Sequence, residues 1–347
     1  MTACKRRVGA SIAALLVFAF TAVGTVVAAE TVKGPPVTWK YNVWGARRAF
    51  TAGIEYVSTY VADRTGGSFR IEIGYGEKLG SKLRNLENLK AGRFDMAQIC
   101  TSYHPAKARA LSVLNLPFLA IKDFKTQRRV HEAVYGHDIV RQEMAVNWSV
   151  MLYMSALLPQ FEFLGKGDPP LTPTGWSGLT VRALGGLGDA MEHLGAKRNS
   201  DNASAVYAAM DRGAVDAVSF PFSYAHAAFG IHEVADWFTT NMSPGTVDCP
   251  AAISLASWNA LPAPYRRLLA KAKPGAHKAL VAAYRAADDE NLGEFYRLMR
   301  PVTYSASQLD EFRERGGRPV HDAWVERHQD TFDARSLLDF VLKTASE

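Results

Sequence analysis

The chain has 347 residues, 48% of them hydrophobic and 21% charged, with 27 glycines and 16 prolines. That much apolar material fills two sizeable cores and excludes a disordered chain, a collagen repeat or a coiled coil. The formal net charge is +6, but Lys5, Arg6 and Arg7 precede the first acidic residue, Glu30; beyond residue 29 there are 37 basic against 34 acidic side chains, and +3 is too small a balance for a nucleic-acid binder.

Residues 1–29 have the three parts of a secretory signal: a basic start, an apolar run from Val8 to Val27, and the small pair Ala28-Ala29 before Glu30. Ser11, Thr21, Gly24 and Thr25 dilute the run, which favours cleavage near Ala29 over an uncleaved anchor. Cys4 precedes the run, so it is not the lipid-bearing cysteine of a processed lipoprotein. The expectation is a soluble, exported chain. Its two remaining cysteines, Cys100 and Cys249, are either a bridge permitted by an oxidising compartment or two buried thiols.

After the leader, Thr38 to Val43 reads as a strand. Phe50 to Arg64 follows as a helix with Ile54, Val57, Tyr60 and Val61 on one face. Phe69, Ile71 and Ile73 alternate with Arg70 and Glu72, a strand with one wet face. Ser81 is placed to cap a helix carrying Leu83, Leu86 and Leu89, with a strand from Asp95 to Cys100 behind it. Helical material continues to about Val140, and Trp148 to Met154 alternates as a strand. The pattern then restarts: strand Leu179 to Arg182, a glycine loop, helix Asp189 to Leu194, helix Ser204 to Arg212, strand Val215 to Phe220. Two successive α/β units imply two lobes. Ala263 to Met299 is helix-rich, interrupted by Pro274-Gly275, and long enough to reach from one lobe to the other. Ser307 to Lys343 is helical again.

Catalytic motifs are missing. The sequence holds no Gly-x-Ser-x-Gly elbow, no His-Glu-x-x-His pair and no Gly-x-x-x-x-Gly-Lys-Ser/Thr phosphate loop. His131 and His137, six residues apart, fall on different helix faces and read as solvated surface. Gly185, Gly186 and Gly188 do not match a dinucleotide fingerprint and read as a tight turn. No cofactor and no metal site is expected.

In Gly178-Leu179-Thr180-Val181-Arg182, the arginine occupies the last strand position. Ligands of open α/β sheets collect at the carboxyl ends of strands, and a guanidinium there offers a planar fork matching both oxygens of a carboxylate. Arg182 is therefore a candidate anion clamp, with a surface arginine or an internal salt bridge as the alternatives.

The sequence resembles the extracytoplasmic solute-binding proteins of the tripartite ATP-independent periplasmic (TRAP) transporters over essentially the whole mature chain. The likeness is carried by Tyr60-Val61-Ala62-Asp63-Arg64-Thr65-Gly66-Gly67, by Lys78-Leu79-Gly80, and by Leu89-Lys90-Ala91-Gly92-Arg93-Phe94-Asp95-Met96. Leu116-Pro117-Phe118-Leu119 follows, then Gly175-Trp176-Ser177-Gly178-Leu179-Thr180-Val181-Arg182. Val206-Tyr207-Ala208-Ala209-Met210 and Gly213-Ala214-Val215-Asp216 complete it.

The resemblance implies an α/β, two-lobed periplasmic-binding-protein-like fold with crossing strands and a long bracing helix. Lobe I would comprise residues 30–156 plus 248–287, and lobe II residues 157–247 plus 288–347. It implies a non-enzymatic, monomeric carrier that captures a small organic acid by hinge closure in the periplasm and delivers it to the TRAP permease subunits. The family's carboxylate-binding arginine falls on Arg182, and cleft-lining positions fall near Trp44, Cys100, Tyr103, Asn202, Phe220 and Cys249. With Trp44, Tyr103, Phe220 and Phe222 around one clear fork, the pocket suits a monocarboxylate with an apolar or aromatic body better than a polyhydroxylated one. Phe222 is either cleft or core. Arg47 and Arg48, beside Trp44, are either a second charge or solvated. An exported enzyme acting on small acids and a sensory ligand-binding protein are the alternatives to transport.

Overall fold

A computed structural model describes residues 1–2 and 31–347; the signal reading and Cys4 lie outside the described residues. The first half runs β1 (Val37–Asn42), α1 (Ala52–Arg64), β2 (Phe69–Gly74), α2 (Asn85–Lys90), β3 (Met96–Gln98), α3 (Phe124–Gly136), α4 (Asp138–Gln142) and β4 (Val150–Met154). Next come β5 (Phe161–Gly165), β6 (Thr180–Arg182), α5 (Gly185–His193), β7 (Lys197–Asn199), α6 (Ala203–Asp211), β8 (Ala217–Pro221), α7 (Tyr224–Ala228) and β9 (Trp237–Thr239). The chain closes with β10 (Ala251–Ser254), α8 (Leu255–Ala260), α9 (Ala263–Leu298), β11 (Arg300–Val302), α10 (Ala306–Phe312), α11 (Arg318–His328) and α12 (Ala334–Ser346).

In β1, Trp39 and Tyr41 are buried while Lys40 is exposed, and in β2 Phe69 and Ile71 are buried between exposed Arg70 and Glu72. The two strands pair in parallel across the α1 crossover, with Trp39 opposite Ile71. β3 joins β1 in parallel, and β10 inserts antiparallel between β3 and β4, giving the order β2-β1-β3-β10-β4. The second sheet is ordered β11-β9-β5-β8-β6-β7. These two sheets are the cores of the two lobes.

The chain passes between the sheets at residues 155–160, from β4 to β5, and at residues 240–250, from β9 to β10. A third tie is α9. Its 36 residues span about 54 Å at 1.5 Å per residue, packing on α1 at one end and on α7 at the other. Tyr153 on β4 donates to the carbonyl of Leu269 (2.6 Å), and Tyr284 to that of Ala156 in the first crossing segment (2.9 Å). The expected interruption at Pro274-Gly275 does not occur: Pro274 lies inside the continuous helix. Gly275 leaves room for the Tyr56 ring of α1, and Gly53 of α1 leaves room for Leu280 of α9, so close helix contact offsets the backbone bond that proline removes.

The glycines after Arg182 form the first turn of α5, not a free loop. Gly185 has φ +57°, and a Cβ on Gly186 would come within 2.7 Å of the Asn115 carbonyl oxygen. Their absent side chains let a lobe II helix press against residues 115–117. The C-terminal helix also departs from expectation: α12 packs on α3 beside the first sheet, with Leu337, Leu338 and Val341 in one cluster with Val130 and Val134.

Candidate functional site

A cavity of ≈ 60 Å³ lies where the lobes meet. Trp44, Arg48, Phe50, Cys100 and Tyr103 line it from the first lobe, and Phe161, Arg182, Leu184, Ala203, Phe220, Tyr224, Ala225 and Phe229 from the second; Leu158, Val247 and Cys249 come from the crossing segments. No acidic side chain is among them.

Arg182 ends β6, held between β7 and β8 by pairing with Asn199 and Val218. Its neighbour Val181 is fully buried, and Arg182 itself is only 1% exposed. Nε donates to the Asp201 carbonyl and Nη1 to the Ser219 carbonyl, both at 3.1 Å, and the guanidinium lies 4.6 Å over the Phe220 ring. Carbonyls and a ring face hold it, and no carboxylate among the described residues is within salt-bridge distance. Burial lowers its pKa to about 10, with Tyr103 and Asp201 pulling the other way. It stays charged at neutral pH, and Nη2 makes no hydrogen bond within the described residues, which leaves its donors for an anion.

The cavity walls are aromatic. Trp44 meets Phe50 at 5.2 Å and Tyr103, edge-on, at 5.8 Å between centroids; Phe220 stacks on Phe229 at 5.2 Å. Cys100 and Cys249 are joined as a disulfide that forms part of the wall, where the ends of β3 and β10 run side by side. Behind Phe220, buried His226 packs edge-on at 5.5 Å and faces the Glu162 carbonyl at 3.1 Å. Burial pushes its pKa down to about 3.

Six of the seven sequence-chosen positions thus meet at one cavity: Trp44, Cys100, Tyr103, Arg182, Phe220 and Cys249. Asn202 does not. It is exposed at the start of α6 with no capping hydrogen bond, and the chain turns its neighbour Ala203 inward instead. Phe222 is half-buried and packs against the core away from this cavity, stacked on Phe238 at 5.9 Å and edge-on to Phe295 at 5.9 Å. Of the arginine pair, Arg47 turns outward to Glu55 (2.7 Å), whereas Arg48 lines the cavity. Tyr224, Phe161 and Phe229 were not singled out from sequence; they stand in apolar surroundings indistinguishable there from ordinary core.

The expectation that His131 is solvated is wrong. It is 1% exposed, with Nδ1 2.8 Å from Ser155 Oγ and 3.2 Å from Asp248 Oδ1, which also accepts from Tyr135 (2.7 Å). The crossing segments cover this face of α3 through Ser155 and Asp248, so His131 is kept from solvent. Serine, histidine and aspartate together resemble a nucleophilic triad in composition only. The hydroxyl and the carboxylate address the same ring nitrogen, and Nε2 is buried with no partner. Among the described residues no His/Cys/Asp/Glu group could hold a metal ion, and no helix is long and apolar enough to cross a membrane.

A wider groove of ≈ 860 Å³ opens between residues 101–116, α5 and α11. Its cations are solvated or matched: Arg109 and Arg327 are exposed, and Arg198 pairs with Asp189 and, at 3.7 Å, with Glu192. The smaller cavity, with a desolvated and unmatched cation, is the better binding site.

Residues 42–327 match the sequence model of the bacterial extracellular solute-binding proteins, family 7. The chain is 24% identical over 275 residues to the monocarboxylate 2-oxoacid-binding periplasmic protein of Nostoc sp., an alignment covering 74% of this chain and 71% of that one. Among solved structures, a TRAP periplasmic solute-binding protein from Desulfovibrio salexigens with bound orotic acid superposes with a TM-score of 0.78 at 16% identity, covering 89% of this chain and 98% of the other. One from Rhodoferax ferrireducens with copurified benzoate gives 0.76 at 19% identity, covering 89% and 98%. At such identities the superpositions establish the two-lobed fold.

Proposed function

We propose that this chain, which belongs to family 7 of the bacterial extracellular solute-binding proteins, captures a small carboxylate between its lobes and delivers it, chemically unaltered, to a TRAP membrane permease. The observation that carries the reading is Arg182: a guanidinium 1% exposed, with carbonyl partners only, in a cavity without an acidic side chain. Desolvating a cation without a counter-ion is costly. An anionic cargo supplies what the protein withholds.

Arg182 orients the carboxylate, and Trp44, Tyr103, Phe220 and the disulfide cover the cargo's apolar body. Because the cavity walls come from both lobes, a bound acid draws the lobes together and favours the closed form. The chain acts as a monomer in the periplasm after its leader is removed near Ala29. The ligands of similar proteins, a 2-oxoacid in the Nostoc relative and orotate and benzoate in the two structures, support a small carboxylate.

The test is a thermal-shift and calorimetric panel of aromatic acids, branched 2-oxo acids and sugar acids on the mature protein. Stabilisation by members of the first two groups is expected. Absence of binding across the panel, or turnover of a bound acid, would overturn the reading.

A further inference from the structure

The turn after β1 is built around a second guanidinium. Gly45 adopts φ +69°, and a Cβ there would lie 2.6 Å from Arg48 Nη1; glycine is needed both for the backbone angle and to leave the side chain its seat. Nη1 donates to the carbonyls of Trp44 (2.8 Å) and Ala46 (2.7 Å), and Cζ lies 4.8 Å over the Phe50 ring. These contacts fix Arg48 through one nitrogen and one face. Nε and Nη2, which share an edge, have no protein partner among the described residues, and no carboxylate pairs with this side chain, although it lines the cavity.

We propose that Arg48 is the second anchor of the cargo site, and that the cargo carries an oxygen acceptor in addition to the carboxylate held by Arg182. The inference rests on the carboxylate reading above. Arg182 brings an unbonded Nη2 from lobe II, and Arg48 brings an unbonded Nε and Nη2 from lobe I. One carboxylate takes the free donors of one arginine; a keto, hydroxyl or second carboxylate oxygen takes those of the other. An acid lacking it leaves the Arg48 donors without a partner inside the closed site, and a site built to hydrogen-bond an oxygen rejects the analogue without one. Since the two anchors sit on different lobes, only the closed form satisfies both.

The experiment is isothermal titration of matched acids: 3-methylbutanoate against 3-methyl-2-oxobutanoate, benzoate against 3-hydroxybenzoate, and butyrate against succinate. Wild type, Arg48→Gln, Arg48→Lys and Arg182→Met are compared, with each variant's melting temperature recorded. In at least one pair, wild type is expected to bind the oxygen-bearing member about ten- to a hundredfold more tightly. That margin is expected to shrink below about threefold in Arg48→Gln and to be partly kept in Arg48→Lys, which retains the charge without the fork. An unchanged margin in a folded Arg48→Gln protein, or equal wild-type affinity within every pair, overturns the assignment while carboxylate capture by Arg182 stands. If wild type and Arg182→Met bind no acid alike, the carboxylate reading itself has failed and this inference with it.

Discussion

Arg182 and His131 are equally buried, each 1% exposed, yet their surroundings differ in kind. His131 sits against an anion, Asp248, and Ser155 and Tyr135 complete a network joining α3 to both crossing segments. Glu162, at the other end of the hinge region, is likewise met: Thr239, the amides of Met242 and Ser243, and the Ser243 hydroxyl all donate to it. Around Arg182 the protein supplies dipoles and a ring face but no charge. Each oxygen of Glu162 takes two donors from the protein and His131 has a carboxylate beside it, whereas Arg182 has two carbonyl acceptors and leaves Nη2 without one. Burial alone does not identify a functional group, whereas burial with an unmatched charge facing a void does.

The sharpest way to break this contrast is to exchange the roles. Arg182→Met is expected to weaken binding of any recognised carboxylate by at least about a hundredfold, as expected for loss of a charge-assisted pair, while urea unfolding of the unliganded protein shows no loss of stability. Removing a desolvated, unpaired cation offsets the two carbonyl contacts that go with it. Asp248→Ala should do the reverse. It leaves His131 and Tyr135 buried without their acceptor and is expected to destabilise by about 3 kcal/mol, measured by urea unfolding, while folded protein still binds. If Arg182→Met unfolded the chain and Asp248→Ala only weakened binding, the contrast would be inverted.

Next in size is the disulfide. Cys100 and Cys249 are 149 residues apart in sequence, and opening their bridge is expected to lower stability by about 2–4 kcal/mol. Denaturation with and without reductant, alongside titration of the best-binding acid, measures both consequences. Affinity should change far less than in Arg182→Met, because the bridge contributes wall and not charge.

Acid sharpens the comparison further. Burial holds His104 and His277 at about 4 and His226 at about 3, below the ordinary value of 6.5. Each depressed histidine binds its proton more readily in the unfolded chain, so its contribution to stability is intact above pH 6.5 and is lost as pH falls toward 4. The slope reaches about 1.4 kcal/mol per pH unit for each histidine. Urea unfolding at pH 7, 5.5 and 4.5 should show this decline, and Phe or Leu in place of His277 should flatten it. A stability independent of pH over that range would contradict the burial of these rings as neutral groups.

Much of the fold was legible because its early elements carry one-sided patterns. β1, α1 and β2 alternate or repeat cleanly, and Arg182 announced itself by standing at a strand end before glycines. β10 was missed for a physical reason: Ala251, Ala252 and Ile253 are all buried, so a strand enclosed on both sides shows no alternation. β9 is buried throughout as well. The burial of His131 is not legible locally because its partner Asp248 lies more than a hundred positions away. The sequence leaves Arg48 open between cleft and solvent because it does not show which of two adjacent arginines a turn directs inward; Gly45 is the available signal. The pairing of the cysteines is decided by β3 and β10 lying side by side, a relation that spacing does not encode.

The smallest expected effect concerns the one position that resemblance placed at the cleft and the fold did not. Asn202 begins α6 exposed, and its side chain makes no capping hydrogen bond. Asn202→Ala therefore removes neither a cap worth the usual ~1 kcal/mol nor a cavity contact. Affinity for the best-binding acid should stay within about twofold of wild type by calorimetry, inside the spread expected for a surface substitution. A tenfold loss would mean that closure on cargo carries Asn202 inward by more than a side-chain rotation, and that the start of α6 belongs to the moving wall of the site together with Ala203. The size of this change thus measures how far the cavity walls are already in their loaded positions.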